Sequence, residues 1–97
     1  NSSPTPKPNI YLTIIEPKDE KVYDKKVIEV SGKTTKDALI VILTEDNEDV
    51  VSPTELGDFS TTITLKNGEN LIQITAIAPN GESLTVDRTV TYSTENF

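Results

Sequence analysis

The sequence has no histidine, cysteine, tryptophan or methionine among its 97 residues. Zinc fingers, haem and iron–sulfur centres, disulfides and Ser-His-Asp or cysteine-nucleophile catalysis all need histidine or cysteine, so these classes are excluded. Long hydrophobic runs are also missing. The longest apolar run, 38–43, has six residues, whereas a transmembrane helix needs roughly 20. Chemistry carried by carboxylates, including oxygen ligation of a metal ion, stays open.

Positive charge is scarce as well. The 16 acidic residues outnumber the 9 basic residues, which gives a net charge of −7. An acidic surface is repelled by phosphate backbones and by anionic lipid headgroups. We therefore expect no nucleic-acid partner and no membrane insertion.

The sequence is instead rich in β-branched side chains. Valine, isoleucine and threonine make up 32 of the 97 residues, and alanine occurs only three times. β-Branched side chains suit the pleated surface of a sheet and lose rotamer freedom in a helix. No segment shows sustained apolar spacing at the helical period. These features predict an all-β domain.

About seven short strands, separated by turn residues at roughly 8–12-residue intervals, predict an immunoglobulin-like β-sandwich. Short edge strands are predicted at 22–23 and 50–51. The main antiparallel strands, lettered by the immunoglobulin convention, are A at 10–15, B at 27–30, C at 38–43, E at 59–65, F at 70–78 and G at 83–92. We expect them to form two sheets, A/B/E and G/F/C.

Glycine and its neighbours predict where these strands end. Gly32 is expected to end strand B, and Asn67-Gly68 to form a hairpin between E and F. The segment 78–81, Ala-Pro-Asn-Gly, predicts a second hairpin between F and G. Arg88 falls on the apolar face of strand G. This conflict predicts either a β-bulge near Asp87 or an arginine that reaches the rim of the sandwich.

The two ends of the sequence differ in composition from the rest. Residues 1–9 contain three prolines and no apolar anchor, which is typical of an extended linker between modules. We expect a linker at 1–9, one domain at 10–93 and a tail at 94–97. Because the sequence starts at Asn1 without an initiator methionine, we expect a mature or excised segment of a longer protein.

Several motifs together resemble a known family. They are Ile-Glu-Val-Ser-Gly-Lys-Thr at 28–34, Gly57-Asp-Phe-Ser60, the run 67–76 followed by Pro79-Asn-Gly81, and Arg88-Thr-Val-Thr-Tyr92. This pattern resembles bacterial immunoglobulin-like repeats of the glucodextranase-like domain B family, over about residues 10–92. Ala78 departs from it, since an aspartate is usual there.

The resemblance implies a non-catalytic accessory module of secreted or surface-bound bacterial proteins, many of them carbohydrate-active. We accordingly expect an extracellular or cell-surface location in bacteria. The absence of cysteine fits a bacterial envelope protein better than an animal ectodomain. The motif residues mark turns and core positions and carry no catalytic group.

An acidic loop at 45–49 is the first candidate site. Ca²⁺ takes six to eight oxygen ligands in general, and carboxylates with an asparagine amide supply several. The ligands would be Glu45, Asp46, Asn47, Asp49 and Asp58. The spacing of a calcium-binding loop is missing, and a solvated turn explains the same residues, which is the interpretation that we prefer. We expect no other cofactor.

An apolar stripe on the outward face of the G/F/C sheet is the second candidate. Its members are Leu39, Val41, Leu43, Leu71 and Ile77, here called the outer stripe. Apolar residues on a face where polar residues are expected often mark a contact surface. A loop or linker that covers the stripe is an equal alternative.

The sequence therefore favours a non-catalytic spacer or interaction module, not an enzyme, in a multidomain secreted or surface protein. Expected partners are neighbouring domains of the same chain, another protein or a cell-wall glycan. The alternative function is a carbohydrate-binding accessory module of a secreted glycan-active enzyme. It rests on Tyr11 and Tyr23, which are expected to be exposed together near strand A.

Overall fold

The computed structural model describes residues 10–94, and every regular element in that range is a β-strand. The strands are β1 Leu12–Glu16, β2 Val22–Tyr23, β3 Val27–Thr34, β4 Leu39–Leu43, β5 Glu48–Val51, β6 Asp58–Thr64, β7 Gly68–Ile77 and β8 Ser83–Tyr92. The all-β prediction is confirmed. Within the described residues, no helix is long and apolar enough to cross a membrane. The expected linker at 1–9 and residues 95–97 of the expected tail lie outside this range.

The strands form two sheets packed as a sandwich. The small sheet has three strands in the order β1-β3-β6, and the large sheet has five in the order β2-β8-β7-β4-β5. Strands A, B and E thus share one sheet and G, F and C the other, as the alternation of the sequence predicts. The two short edge strands are also present, since β2 pairs in parallel with β8 and β5 pairs antiparallel with β4.

The core lies between the sheets and follows the two-residue period of the strands. β3, β4 and β7 bury alternate residues, because successive side chains of a strand point to opposite faces. The buried apolar residues are Ile10, Ile28, Val30, Ala38, Ile40, Ile42, Phe59, Ile63, Leu65, Ile72, Ile74, Ala76 and Val90. One apolar layer therefore holds both sheets together.

Gly32 does not end a strand, which corrects the prediction. β3 continues to Thr34, and Gly32 lies opposite Phe59 of β6. A Cβ on Gly32 would overlap the Thr13 carbonyl oxygen and lie 2.9 Å from the Phe59 ring. The glycine therefore allows close approach inside the small sheet rather than a turn.

The connection between β6 and β7 is not a hairpin, which is a second correction. The two strands belong to different sheets, so Asn67 and Gly68 carry the chain across the sandwich. Gly68 adopts a φ of 89°. Asn70 holds this turn, since its Oδ1 accepts from Lys66 N at 2.8 Å and its Nδ2 donates to Lys66 O at 2.9 Å. The sequence predicts a turn at the right residues, and Gly68 has the positive φ expected there. A turn residue does not specify, however, which sheet the next strand joins.

The second predicted hairpin is confirmed, and the conflict at Arg88 is resolved. β7 and β8 pair without a register shift from Gly68↔Tyr92 to Ile77↔Ser83, so there is no bulge at Asp87. Arg88 instead reaches the rim, where its Nε donates to the Pro17 carbonyl at 3.2 Å. The long aliphatic stem of arginine makes this position compatible with a partly apolar face.

The described chain enters and leaves at opposite ends of the sandwich. At the entry end, Tyr11 N donates to Thr35 Oγ1 at 2.9 Å, beside the end of β3. At the exit end, Tyr92 lies opposite Gly68, and Ser93 N donates to Tyr23 O at 3.0 Å. β8 runs the length of the large sheet between the two ends, from the hairpin at the entry end to its last residue at the exit end.

Candidate functional site

The large sheet places all five members of the outer stripe on its solvent-facing side. β4 alternates, so Ile40 and Ile42 are buried while Leu39 is 39% exposed. Leu39 lies opposite Ile77, which is 37% exposed, and Leu71 of the same strand is 55% exposed. The stripe therefore runs along β4 and along the neighbouring β7.

The stripe extends onto the edge strand by one residue that the sequence analysis missed. Val50 of β5 lies opposite Val41 and is 59% exposed. Val50 alternates with the partly buried Val51. This alternation places Val50 on the outer face only once the pairing of β5 with β4 is known. On the other side the stripe ends at polar residues of β8, where Thr85 Oγ1 lies 2.9 Å from Thr75 Oγ1. The polar residues of β8 thus separate the stripe on β5, β4 and β7 from Val22 of β2, which is exposed on the same face.

The acidic loop is shorter than the sequence indicates. Glu48 and Asp49 are the first residues of β5 and pair with Leu43 and Ile42. The pairing of Val50 and Val51 with β4 extends to these two residues because charged side chains are tolerated on an exposed edge strand. Only the turn from Thr44 to Asn47 remains, closed by a bond from Thr44 N to Asn47 O of 2.9 Å.

A lysine occupies the acidic turn. Lys66 Nζ lies 2.8 Å from Asp46 Oδ2 and 3.8 Å from Glu45 Oε1. The hydrogen bond that Lys66 donates to the Asp46 carboxylate raises the pKa of Lys66 above its ordinary value. The turn therefore already has a cation at the oxygens that calcium would need.

The remaining predicted calcium ligands lie elsewhere. Asp58 belongs to β6 of the small sheet, where its carboxylate pairs with Lys33 Nζ at 3.4 Å. Asp49 lies on the edge of the large sheet. Across residues 10–94, no three acidic side chains are grouped closely enough to hold a metal ion. Calcium binding stays a prediction, without a preformed site to support it.

A cleft with a volume of about 540 Å³ lies at the side of the sandwich, between β2 and β3. Its lining carries both signs of charge and one aromatic ring, and consists of Glu16, Lys21, Val22, Tyr23, Asp24, Lys25, Val27, Ile28 and Glu29. No sequence motif marks this cleft, although its lining lies within 16–29, because it forms where β2 joins the large sheet and β3 the small one.

Tyr23 is the unusual residue of this cleft. Its hydroxyl is buried and makes no hydrogen bond of good geometry, while Lys21 Nζ lies 4.9 Å from the centre of its ring. Burial raises the pKa of Tyr23, and the negative charge of Glu16 raises it further. Tyr11, by contrast, is 50% exposed and precedes β1, whereas Glu16 ends β1. The two tyrosines therefore lie at opposite ends of that strand and form no joint platform.

These features define an immunoglobulin-like β-sandwich module whose candidate sites are all formed by surface side chains. More particularly, the chain belongs to the family described as glucodextranase, domain B, whose family model matches residues 10–94. No curated protein matches the chain. The family description names one domain of a larger glycoside hydrolase, which is compatible with an accessory module.

Proposed function

We propose that the chain is a non-catalytic spacer and interaction module of a multidomain protein that bacteria secrete or carry on their surface. The observation that carries the proposal is where the described residues, 10–94, enter and leave the sandwich. The chain enters beside Thr35 and leaves beside Gly68, at opposite ends of the sandwich. A module with this geometry separates its neighbours by its own length.

The length of the spacer follows from β8. This strand has ten residues, and a strand rises by about 3.3 Å per residue, or about 30 Å for the whole strand. Core packing and two hydrogen-bonded sheets make the module stiff over that distance. Modules in series would therefore add about 30 Å each.

The interaction part of the proposal rests on the outer stripe. Leu39, Leu71 and Ile77 expose apolar side chains on the same face, and contiguous apolar surface of this kind is enriched at protein contacts. Neighbouring domains of the same chain are the first expected partners, and another surface protein the next. The net charge of −7 keeps the rest of the module soluble beside them.

The spacer geometry is tested by joining copies in series. Proteins with one, two and three copies of the chain are compared by small-angle X-ray scattering, and the maximum dimension should rise by at least about 30 Å per copy. Copies joined by a long glycine-serine linker are the control. A maximum dimension that does not grow with copy number would mean that the modules fold back on one another, and would contradict the proposal.

The non-catalytic part is tested separately. The chain is incubated with α-glucans and with aryl glycosides, and newly formed reducing ends or phenols are measured against a buffer blank. We expect no turnover. Turnover that disappears when cleft carboxylates are replaced, for example in Glu16→Gln or Glu29→Gln, would assign an enzyme instead.

A carbohydrate-binding accessory module is the second candidate, and the cleft at Tyr23 favours it. An aromatic ring flanked by carboxylates and lysines offers both stacking and hydrogen bonds to a sugar. Affinity electrophoresis in gels containing α-glucan or cell-wall glycan tests this candidate. Retardation that Tyr23→Ala abolishes and Tyr11→Ala leaves unchanged would favour it over the spacer proposal. Unretarded migration in all gels would exclude it.

A further inference from the structure

The outer stripe lies on a sheet face whose strands present only acidic charges. The strands of the large sheet contain four acidic residues and one arginine. Arg88 lies opposite the buried Ile72, so it belongs to the inner face. Strand alternation places three of the acids on the outer face together with the stripe, and these are Glu48, Glu69 and Asp87. No basic residue of the same strands offsets this negative charge.

The three carboxylates also have no cation from elsewhere in the described residues. Within 10–94, none of the ion pairs involves Glu48, Glu69 or Asp87, and all three residues are exposed. The outer face of the small sheet differs, because Lys33 there pairs with Asp58 at 3.4 Å. Positive charge for the outer face of the large sheet would therefore come from a binding partner.

A pocket of about 330 Å³ opens on this face between β4 and β7. Leu43 and Leu71 supply its apolar surface, Gln73 an amide and Glu45 a carboxylate. The Glu45 side chain is 79% exposed, because Lys66 Nζ lies 3.8 Å from it and bonds more closely to Asp46. The pocket thus combines exposed apolar surface with an accessible negative charge.

The strand register places further carboxylates on both sides of the pocket. Leu43 lies opposite Glu48 on β5, and Gln73 lies opposite Asp87 on β8. Neighbouring strands are about 4.8 Å apart, so each carboxylate comes from the strand next to a pocket residue. Together with Glu45 of the turn, acidic side chains border the pocket on three sides.

We propose that the outer stripe binds a basic segment of a partner protein, and that the pocket takes one lysine or arginine side chain of that segment. The aliphatic stem packs against Leu43 and Leu71, while the charged head reaches Glu45 and donates to the Gln73 amide oxygen. Long basic side chains bury an apolar stem and keep the charge at the surface in this way. The inference rests on the interaction part of the proposed function and adds the chemistry of the partner.

Charge distinguishes this occupant from the others that an apolar face could take. A second copy of the chain would bring the same carboxylates against one another, and like charges across an interface oppose binding. An acidic segment would meet the same repulsion. An uncharged apolar segment would desolvate the carboxylates without pairing them. A basic segment with apolar residues satisfies both the leucines and the carboxylates.

Nuclear magnetic resonance titration of the whole ¹⁵N-labelled chain tests the proposal. The probe is a hexapeptide of alternating lysine and leucine with both ends blocked, and two control peptides replace leucine by serine or lysine by glutamate. We expect shift changes at Leu43, Leu71 and Gln73 with a Kd below about 1 mM. Each control peptide lacks one of the two properties, so both should bind at least about tenfold more weakly.

Two pairs of variants separate the pocket from general effects of charge and hydrophobicity. Glu45→Gln should weaken binding of the lysine–leucine peptide by about two- to fivefold, the range of an exposed ion pair. Glu55→Gln makes the same charge change in the turn before β6 and should leave binding unchanged. Leu71→Thr should weaken binding by at least about fivefold, whereas Leu56→Thr, at an 81% exposed leucine outside the stripe, should not. Circular dichroism confirms that each variant is folded.

The outcomes separate this inference from the proposed function. No binding of the lysine–leucine peptide, or equal binding of the glutamate–leucine peptide, would overturn it. Equal weakening by Glu55→Gln would do the same, since net charge alone would then attract the peptide. Tighter binding in Lys7→Gln would assign the pocket to the linker of the chain itself. A dimer in sedimentation equilibrium that Leu39→Thr/Val41→Thr removes would assign the stripe to a second copy. The spacer geometry measured by scattering stands in each of these cases.

Discussion

The two sheets of this module expose opposite kinds of surface. The large sheet has protected edges, with β2 short and β5 charged, but its outer face carries the apolar outer stripe. The small sheet has a mainly polar outer face, with Glu29 and Lys33 among its exposed residues, but its edge strand β6 carries no charge and no proline between Phe59 and Thr64. One sheet therefore offers side chains for contact, and the other offers backbone.

This difference separates two modes of contact. Contact through an apolar face depends on shape and buried area, whereas contact through a strand edge depends on register and hydrogen bonds. The two surfaces belong to different sheets, so a partner at one leaves the other accessible. Substitutions confined to one sheet or one face, each with a matched substitution elsewhere, test this difference.

The largest difference in the free energy of unfolding is expected between substitutions on the inner face and on the outer face of the large sheet. Ile74 is fully buried on β7, and Ile74→Ala should lower the free energy of unfolding by about 2–5 kcal/mol because it leaves a cavity. Leu71 lies on the outer face of the same strand, so Leu71→Ala should change it by less than about 0.5 kcal/mol. Urea denaturation measures both. Equal losses would show that the outer stripe is covered in solution.

Two glycines with positive φ, one in a turn beside each sheet, allow the packing of these turns to be compared. Gly57, beside β6, has a φ of 87°, and a Cβ there would overlap the Thr34 carbonyl oxygen. Gly81, in the β7–β8 hairpin, has a φ of 92° with nothing within 4 Å of such a Cβ. Gly81→Ala should therefore cost only the left-handed strain of about 1–2 kcal/mol.

Gly57→Ala should cost more than Gly81→Ala, because the overlap also disturbs the 2.8 Å bond from Thr34 N to Gly57 O. Thermal unfolding of both variants at the same pH checks the order. If Gly81→Ala lowered the melting temperature more than Gly57→Ala, the close approach of Gly57 to Thr34 would not determine the cost of a side chain there.

A smaller effect is expected at Tyr23, where the edge of the large sheet meets Glu16 of the small one. Since the buried hydroxyl makes no good hydrogen bond, Tyr23→Phe should raise the free energy of unfolding by about 0.5–1 kcal/mol. The raised pKa of Tyr23 gives a second readout. Above pH 10.0, its ordinary value, the unfolded chain loses this proton more readily than the folded chain, so stability falls as the pH rises.

Tyr23→Phe should therefore flatten the loss of stability at alkaline pH, and urea denaturation at several pH values measures this. Some loss will remain, because the pKa of Lys66 is also raised and its ion pair weakens when the lysine deprotonates. Tyr11→Phe is the control, because Tyr11 is 50% exposed. An unchanged alkaline profile in Tyr23→Phe would place the hydroxyl in contact with solvent.

The strands and the core were predictable because alternation is a local property. Ile40, Ile42, Ile72 and Ile74 lie where a two-residue period places them, and all are buried. Gly32 shows the limit of local reasoning. Its role depends on how closely β1 and Phe59 approach it, which no neighbouring residue in the sequence encodes.

The surfaces were predictable only in part. The outer stripe follows from the same alternation as the core, so its residues share one face. The cleft at Tyr23 and the open edge of β6 depend on which strands pair at the sheet margins. Strand order is a non-local property, and the acidic spacing alone did not reveal that Lys66 reaches Asp46 from the connection between the sheets.

The smallest effect is expected at the acidic turn, which belongs to the large sheet. Lys66 Nζ already lies 2.8 Å from Asp46, while Asp58 pairs with Lys33 on the small sheet. Because calcium would need both sets of oxygens free and together, millimolar CaCl₂ should leave the melting temperature unchanged relative to NaCl at equal ionic strength. The salt control matters because a chain of net charge −7 is stabilised by screening alone. A rise specific to calcium, reversed by a chelator and lost in Glu45→Gln/Asp46→Asn, would show that the ion gathers ligands which the free chain keeps on separate sheets.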